Sequence, residues 1–182
     1  MTTPTLEPRT TALILIDLMP RIVALDTAPL SGPEVLERCV ALAKATRAVG
    51  GLVVNVRVER PNVDVQPEGS ELAPELDPQP GDVEIVKRTV GAFHRTGLDD
   101  VLRTHGIGTV VLGGIATNFG VESTGRSADE HGYRTIYVTD AMTGLDAHAH
   151  DFAVSYVFPR FGETCTGTEY VAALSGEVPR KS

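Results

Sequence analysis

TALILIDL, residues 11–18, is the stretch on which the fold turns. It is a nearly unbroken apolar run closed by an acid, the pattern of a parallel strand buried on both faces. Asp17 then lies near the strand's carboxyl end. Working outward, Ser31 can cap a helix from Gly32 to Val49 that turns Val35, Leu36, Cys39, Val40, Leu42 and Ala43 inward. Gly50-Gly51 closes that helix, and LVVNVRV (52–58) supplies a second β-branched strand. These segments form a βαβ unit.

The same alternation continues. VEIVK (83–87) is a short strand, LDDVLRTHG (98–106) a helix with acids at its start and glycine at its end, and TVVLGGI (109–115) another buried strand. A helix over Asn118 to Gly132, a strand RTIYVTDA (134–141) and a helix over Asp146 to Phe158 follow. Such a series calls for a parallel sheet with helices on its faces. Residues 59–82 hold five prolines, several acids and no sustained period, and read as an irregular surface excursion of the kind that often borders a site. In open parallel sheets ligands bind beyond the carboxyl ends of the strands, where strand order reverses. Asp17, Lys87 and the Gly114–Gly120 turn all fall at strand ends, which groups them as a candidate site.

At 182 residues with 42% hydrophobic content, the chain is expected to form one domain over 1–182, with 1–10 and 176–182 frayed. Its 24 acidic against 16 basic residues give a net charge of -8, which disfavours nucleic acid and anionic membrane and favours a small-molecule partner. No run is long and apolar enough to span a bilayer, and MTTPTLEPRTT lacks the layout of a signal peptide, so a cytoplasmic location is expected. Cys39 and Cys165 are too few for a disulfide framework and lie in no CxxC pair; both read as reduced thiols. The five histidines form no ligand cluster, so neither a metal nor another cofactor is expected.

IDLMP, VKRTVGAFHRTGLDDVL and GGIATNFGVESTGRSADEHGYRTIYVTDA, in that order, resemble the isochorismatase-like, or cysteine hydrolase, superfamily from Thr11 to Leu174. The resemblance implies a three-layer αβα, Rossmann-like fold with a six-stranded parallel sheet, and assembly into dimers or larger homo-oligomers. It maps the active-site acid and lysine onto Asp17 and Lys87, and the third catalytic position onto Gly120. Family members also hold a cis peptide in the turn before the nucleophile, which falls at Ile115-Ala116 here. Most relatives attack with a thiolate at the third position, and glycine has no such atom. True isochorismatases, whose lysine segment resembles KRTVGAFHR, carry glycine there. They imply vinyl-ether hydrolysis, in which a protonated Asp17 gives a proton to the terminal enol carbon and water captures the oxocarbenium ion. To act so near neutral pH, Asp17 must be kept neutral by burial against the pull of Lys87.

Each residue also has an ordinary reading. Asp17 can cap a loop, Lys87 can be a solvated strand-end charge, and Gly120 can serve close packing. Cys165, in GETCTGTEY, is read as packing rather than as a replacement nucleophile. Arg57, Arg60, Arg88, His94 and Arg95 are candidates for holding a substrate carboxylate, with Arg60 near the place of a substrate-contacting glutamine in isochorismatases. Ile115 and Ala116 are expected to line the site, with Phe93 and Phe119 as apolar walls. Three functions stand at this point: a cofactor-free acid-catalysed hydrolase of an enol ether, a water-mediated amide or imide hydrolase, and an inactive binding or assembly homologue that has lost its nucleophile.

Overall fold

Every residue of β1 (Thr11–Ile16) is buried. The pleat divides them, Leu13 and Leu15 entering one apolar layer and Ala12, Ile14 and Ile16 the other, because successive side chains of a strand point to opposite faces. A continuous apolar run is therefore the requirement of a strand covered on both sides. The computed structural model describes residues 6–176. It contains five further strands, β2 (Leu52–Val58), β3 (Val83–Lys87), β4 (Thr109–Ile115), β5 (Arg134–Thr143) and β6 (Glu163–Cys165). Their order is β3-β2-β1-β4-β5-β6 and every pairing is parallel.

Helices α1 (Pro20–Val23), α2 (Gly32–Ala48), α3 (Leu98–Thr104), α4 (Glu122–Glu130), α5 (Ala147–Phe152), α6 (Phe158–Phe161) and α7 (Gly167–Leu174) complete the three-layer αβα fold. Val35, Leu36, Cys39 and Leu42 of α2 share one core layer with Tyr170 and Leu174 of α7. Leu98 and Leu102 of α3, Ala128 of α4 and Phe158 of α6 fill the other. α2 begins as its sequence indicates: Ser31 Oγ accepts from the Glu34 N–H while Glu34 Oε2 accepts from the Ser31 N–H at 2.9 Å. That reciprocal cap satisfies two donors left open by the first turn and is worth about 1 kcal/mol.

Strand order reverses between β1 and β4. The chain winds outward from β1 through β2 to β3, then returns to β4 on the other side of β1. The crevice this opens lies beyond the carboxyl ends of β1 and β4.

The structure departs from the sequence expectation in four places. The 59–82 excursion is not wholly superficial: Ala73 and Leu76 are each 1% exposed within the core, and the Ala73 N–H donates to the Leu18 carbonyl at 2.9 Å. Two isolated anchors make no period, so no pattern revealed them. The helix expected over 118–132 begins as a π-helical turn, Thr117–Val121, before α4, and the helix expected over 146–158 runs through α5, a second π turn at Ala153–Val157, and α6. β5 extends to Thr143, and its register against β4 shifts between Leu112 and Gly114. Finally, residues 6–10 are not frayed. Pro8–Thr10 form a 3-10 turn and Leu6 packs into the core, while Gly176 closes α7 through a hydrogen bond to the Ala173 carbonyl. The rest of the termini expected to fray, 1–5 and 177–182, lies outside the described residues.

Candidate active site

Asp17 is the first residue past β1. Its N–H donates to the Val56 carbonyl of β2 at 2.8 Å and its carbonyl accepts from the Met19 N–H at 2.9 Å. These bonds hold it at φ 53, a left-handed conformation uncommon outside glycine. The chain thus turns sharply out of the sheet with the carboxyl group over the crevice. Lys87 ends β3, two strands away, and its long stem reaches across so that Nζ lies 2.8 Å from Asp17 Oδ2. The same Nζ donates to the Val90 carbonyl at 2.6 Å. The Lys87 and Asp17 side chains are 2% and 10% exposed, so this is a desolvated pair.

The two Asp17 oxygens differ. Oδ2 is held by the ammonium, whereas Oδ1 is buried and, among the described residues, has no hydrogen-bond partner. Burial raises the Asp17 pKa above its ordinary value of 3.8, against the opposing pull of Lys87 and, more weakly, Arg21. Desolvation penalises the charged form and here outweighs both cations. A proton on Oδ1 would give that oxygen a donor to offer.

Gly120 lies on the π turn that follows β4. A Cβ placed on it would meet Ile16 Cγ2 at 2.8 Å, Lys87 Nζ at 3.1 Å and Asp17 Oδ2 at 3.4 Å. No open space stands where a side chain at this position would begin. The preceding peptide, Ile115-Ala116, is cis. The Ala116 carbonyl accepts from the Phe119 and Val121 N–H groups, closing the turn. Thr117 Oγ1 and His150 Nδ1 lie 2.8 Å apart and buried, tying the turn to α5. Burial lowers the His150 pKa, which favours the neutral ring. Nothing in sequence pairs these residues, which stand 33 positions apart.

Asp17, Lys87 and Gly120 border a cavity of about 450 Å³, also lined by Ile115, Ala116, Phe119, Arg60 and Arg88. Phe93, expected as an apolar wall, does not line the cavity: it is 9% exposed in the core beneath α3, its ring stacked on His131 at 4.8 Å. An apolar ring five residues before α3 packs under that helix because the chain must cover it, and so it cannot also wall the crevice. His94 and Arg95 are exposed and do not line the cavity. Arg57 is committed to Glu84 at 2.6 Å and Glu59 at 2.9 Å. Sequence reasoning missed Arg21, Leu25, Glu59 and Leu145, all of which line the cavity. Leu25, Phe119 and Leu145 are half exposed and give it an apolar rim.

Neither cysteine borders this cavity. Cys39 is fully buried, its Sγ donating to the Ala141 carbonyl at 3.4 Å, and burial pushes its thiol pKa up. Cys165, 1% exposed on β6, has its thiol pKa pushed up to about 12, chiefly by burial. A group so held is a packing element rather than a thiolate. Among the described residues, no three His, Cys, Asp or Glu side chains gather as a metal-binding group.

Against known proteins, the isochorismatase domain family matches residues 11–169. The chain is 37% identical to the uncharacterized isochorismatase family protein YwoC of Bacillus subtilis, over 94% of this chain and 97% of that one. It is 30% identical to maleamate amidohydrolase of Pseudomonas putida, over 91% of this chain and 87% of that one. The structure of an isochorismatase family protein from Burkholderia thailandensis superposes with a TM-score of 0.88 at 40% identity, covering 96% of this chain and 100% of the other.

Proposed function

The chain belongs to the isochorismatase family of hydrolases, and from that premise we propose that it hydrolyses a small enol ether by general-acid catalysis from Asp17, without a covalent enzyme intermediate. One observation carries this reading: a buried carboxyl group has one oxygen fixed by Lys87 and the other, Oδ1, without a partner, at a position where Gly120 supplies no nucleophile. Lys87 occupies Oδ2, so the proton of the neutral acid resides on Oδ1.

The step balances without further reagents. Asp17 gives its proton to the terminal carbon of the enol ether, the carbon–carbon π pair forms the new C–H bond, and the ether oxygen stabilises the resulting cation. Water adds to that cation and returns a proton to the Asp17 carboxylate, and the hemiketal collapses to a carbonyl compound and an alcohol. Lys87 stabilises the carboxylate during the interval in which it is charged. Ile115 and Phe119 add apolar surface to the cavity in which the cation forms.

A second reading, water-mediated amide hydrolysis, draws support from the maleamate amidohydrolase relative. In it Asp17, as the carboxylate, takes a proton from the attacking water and later gives it to the leaving amine. An inactive binding or assembly homologue is the third possibility and predicts no turnover of any substrate.

The test is a substrate panel that begins with isochorismate and includes maleamate, with products analysed in heavy-oxygen water, using the unaltered chain and Asp17→Asn. Enol-ether turnover that disappears in a folded Asp17→Asn variant is the expected result. Full activity in that variant overturns the proposed acid, and hydrolysis confined to amides selects the second reading.

A further inference from the structure

Four cationic side chains, Arg21, Arg60, Lys87 and Arg88, and two carboxylates, Asp17 and Glu59, line the cavity. This local excess of positive charge stands in a chain of net charge -8. Two of the cations have an acidic partner: Lys87 has Asp17 at 2.8 Å and Arg88 has Glu59 at 2.7 Å. Glu59 also accepts from Arg57 at 2.9 Å and has no charge to spare. Arg60 is exposed, and among the described residues only its backbone is held, through Gln66.

Arg21 differs from the rest. Its Nε donates to Ser70 Oγ at 3.1 Å and its Nη2 to the Val58 carbonyl at 3.2 Å, both neutral acceptors. Among the described residues no carboxylate pairs with it, and three of its five N–H groups remain without a partner. Its position is also built. The Arg21 N–H donates to the Gly69 carbonyl at 3.2 Å, and a Cβ on Gly69 would lie 3.0 Å from the Arg21 nitrogen. The adjoining Ser70 is 5% exposed. The excursion over 59–82 thus presses glycine and serine against α1 and orients the guanidinium on neutral atoms, leaving its charge uncompensated.

We propose that Arg21 determines substrate specificity by holding the carboxylate of an anionic substrate, so that the cavity selects small carboxylic acids over neutral molecules of the same shape. This rests on, and deepens, the assignment of the Asp17 cavity as the hydrolytic site. A planar guanidinium presents paired N–H donors that match a carboxylate. Because Ser70 and Val58 already fix its rotamer, little side-chain freedom is lost on binding. Arg21 also stands close enough to act electrostatically on Asp17, so a carboxylate seated on it brings the rest of a small substrate to the acid. The anion at the same time offsets the cationic field that favours ionised Asp17, and so helps keep the acid neutral.

Benzoate and benzamide, which share size and shape and differ in charge, are the probes, titrated against the full chain at low salt by calorimetry or by NMR. Benzoate is expected to bind roughly 10- to 100-fold tighter than benzamide, the factor that hydrogen bonds to a charged group provide. Arg21→Met should abolish the preference, Ser70→Ala should reduce it, and Arg60→Met should retain most of it. No preference in the unaltered chain, or an undiminished one in Arg21→Met, overturns the proposal. Should Arg21→Met fail to fold, Arg21→Lys keeps the charge and loses the planar fork, and its preference must fall; an unchanged preference overturns the proposal equally. Binding is read without turnover, so an active Asp17→Asn variant would overturn the acid and leave the Arg21 assignment standing, and loss of the benzoate preference would do the reverse.

Discussion

Gly120→Ala tests most directly whether glycine is required by the spacing of the site. Replacing glycine by alanine within a helical turn ordinarily stabilises by up to about 1 kcal/mol, because alanine has less backbone freedom to lose. Here the added carbon would come within 2.8 Å of Ile16 Cγ2 and 3.1 Å of Lys87 Nζ. Ile16 is fully buried, β-branched and paired with Val56 on one side and Gly114 on the other, so neither its backbone nor its rotamer moves cheaply. Overpacking of this kind costs about 1–3 kcal/mol, which exceeds the helical gain and leaves a net loss of about 1 kcal/mol. For a chain of this size that lowers Tm by about 2–4 °C. Lys87 relaxes by withdrawing from the new methyl group, which lengthens its 2.8 Å contact with Asp17. Displacements of a few tenths of an ångström to 1 Å in such a pair reduce kcat by about 10- to 100-fold. Thermal unfolding followed by circular dichroism, together with turnover of whichever panel substrate the unaltered chain accepts, reads both effects. A variant that is stabilised and fully active would refute the claim that close packing of Ile16, Lys87 and Asp17 dictates glycine here.

Three further outcomes follow. Because the folded state raises the Asp17 pKa above 3.8, it binds that proton more tightly than the unfolded chain does. The Asp17 contribution to stability is therefore greatest below pH 3.8 and declines as pH rises from there through the folded-state pKa. Asp17→Asn should remove that decline in urea unfolding measured across pH, and in the unaltered chain kcat/KM should fall about tenfold per pH unit above the same pKa, since the acid must be protonated. A rate that rises with pH over that range would contradict the acid role. Cys165→Ala should keep kcat within about twofold while costing about 1–2 kcal/mol in stability, since the thiol is buried on β6 away from the cavity; loss of turnover in this folded variant would restore the thiol as a catalytic candidate.

Much of this molecule was legible before any coordinates. The run at 11–18 demanded a strand covered on both faces, Ser31 marked the start of the helix that it caps, and alternating strands and helices required a parallel sheet. Phe93 misled because an aromatic residue near a strand end carries no label for the side on which it packs, and His131 claims its face. Arg21 was overlooked because nothing within α1 distinguishes it from any surface arginine. Its partners, Val58, Gly69 and Ser70, are at least 37 positions away in sequence.

The sequence by itself determined the sheet, its helical layers and the placement of Asp17 and Lys87 at strand ends, because periodicity and turn chemistry are local properties that each segment carries in its own residues. Only the tertiary structure decided which charges face the cavity without compensation, why a Cβ on Gly120 would crowd its neighbours, and that residues 59–82 anchor part of the site. Those outcomes depend on distances between atoms remote along the chain, which are fixed when β1, β3 and β4 bring their carboxyl ends to one crevice and burial removes the water that would otherwise screen the groups gathered there.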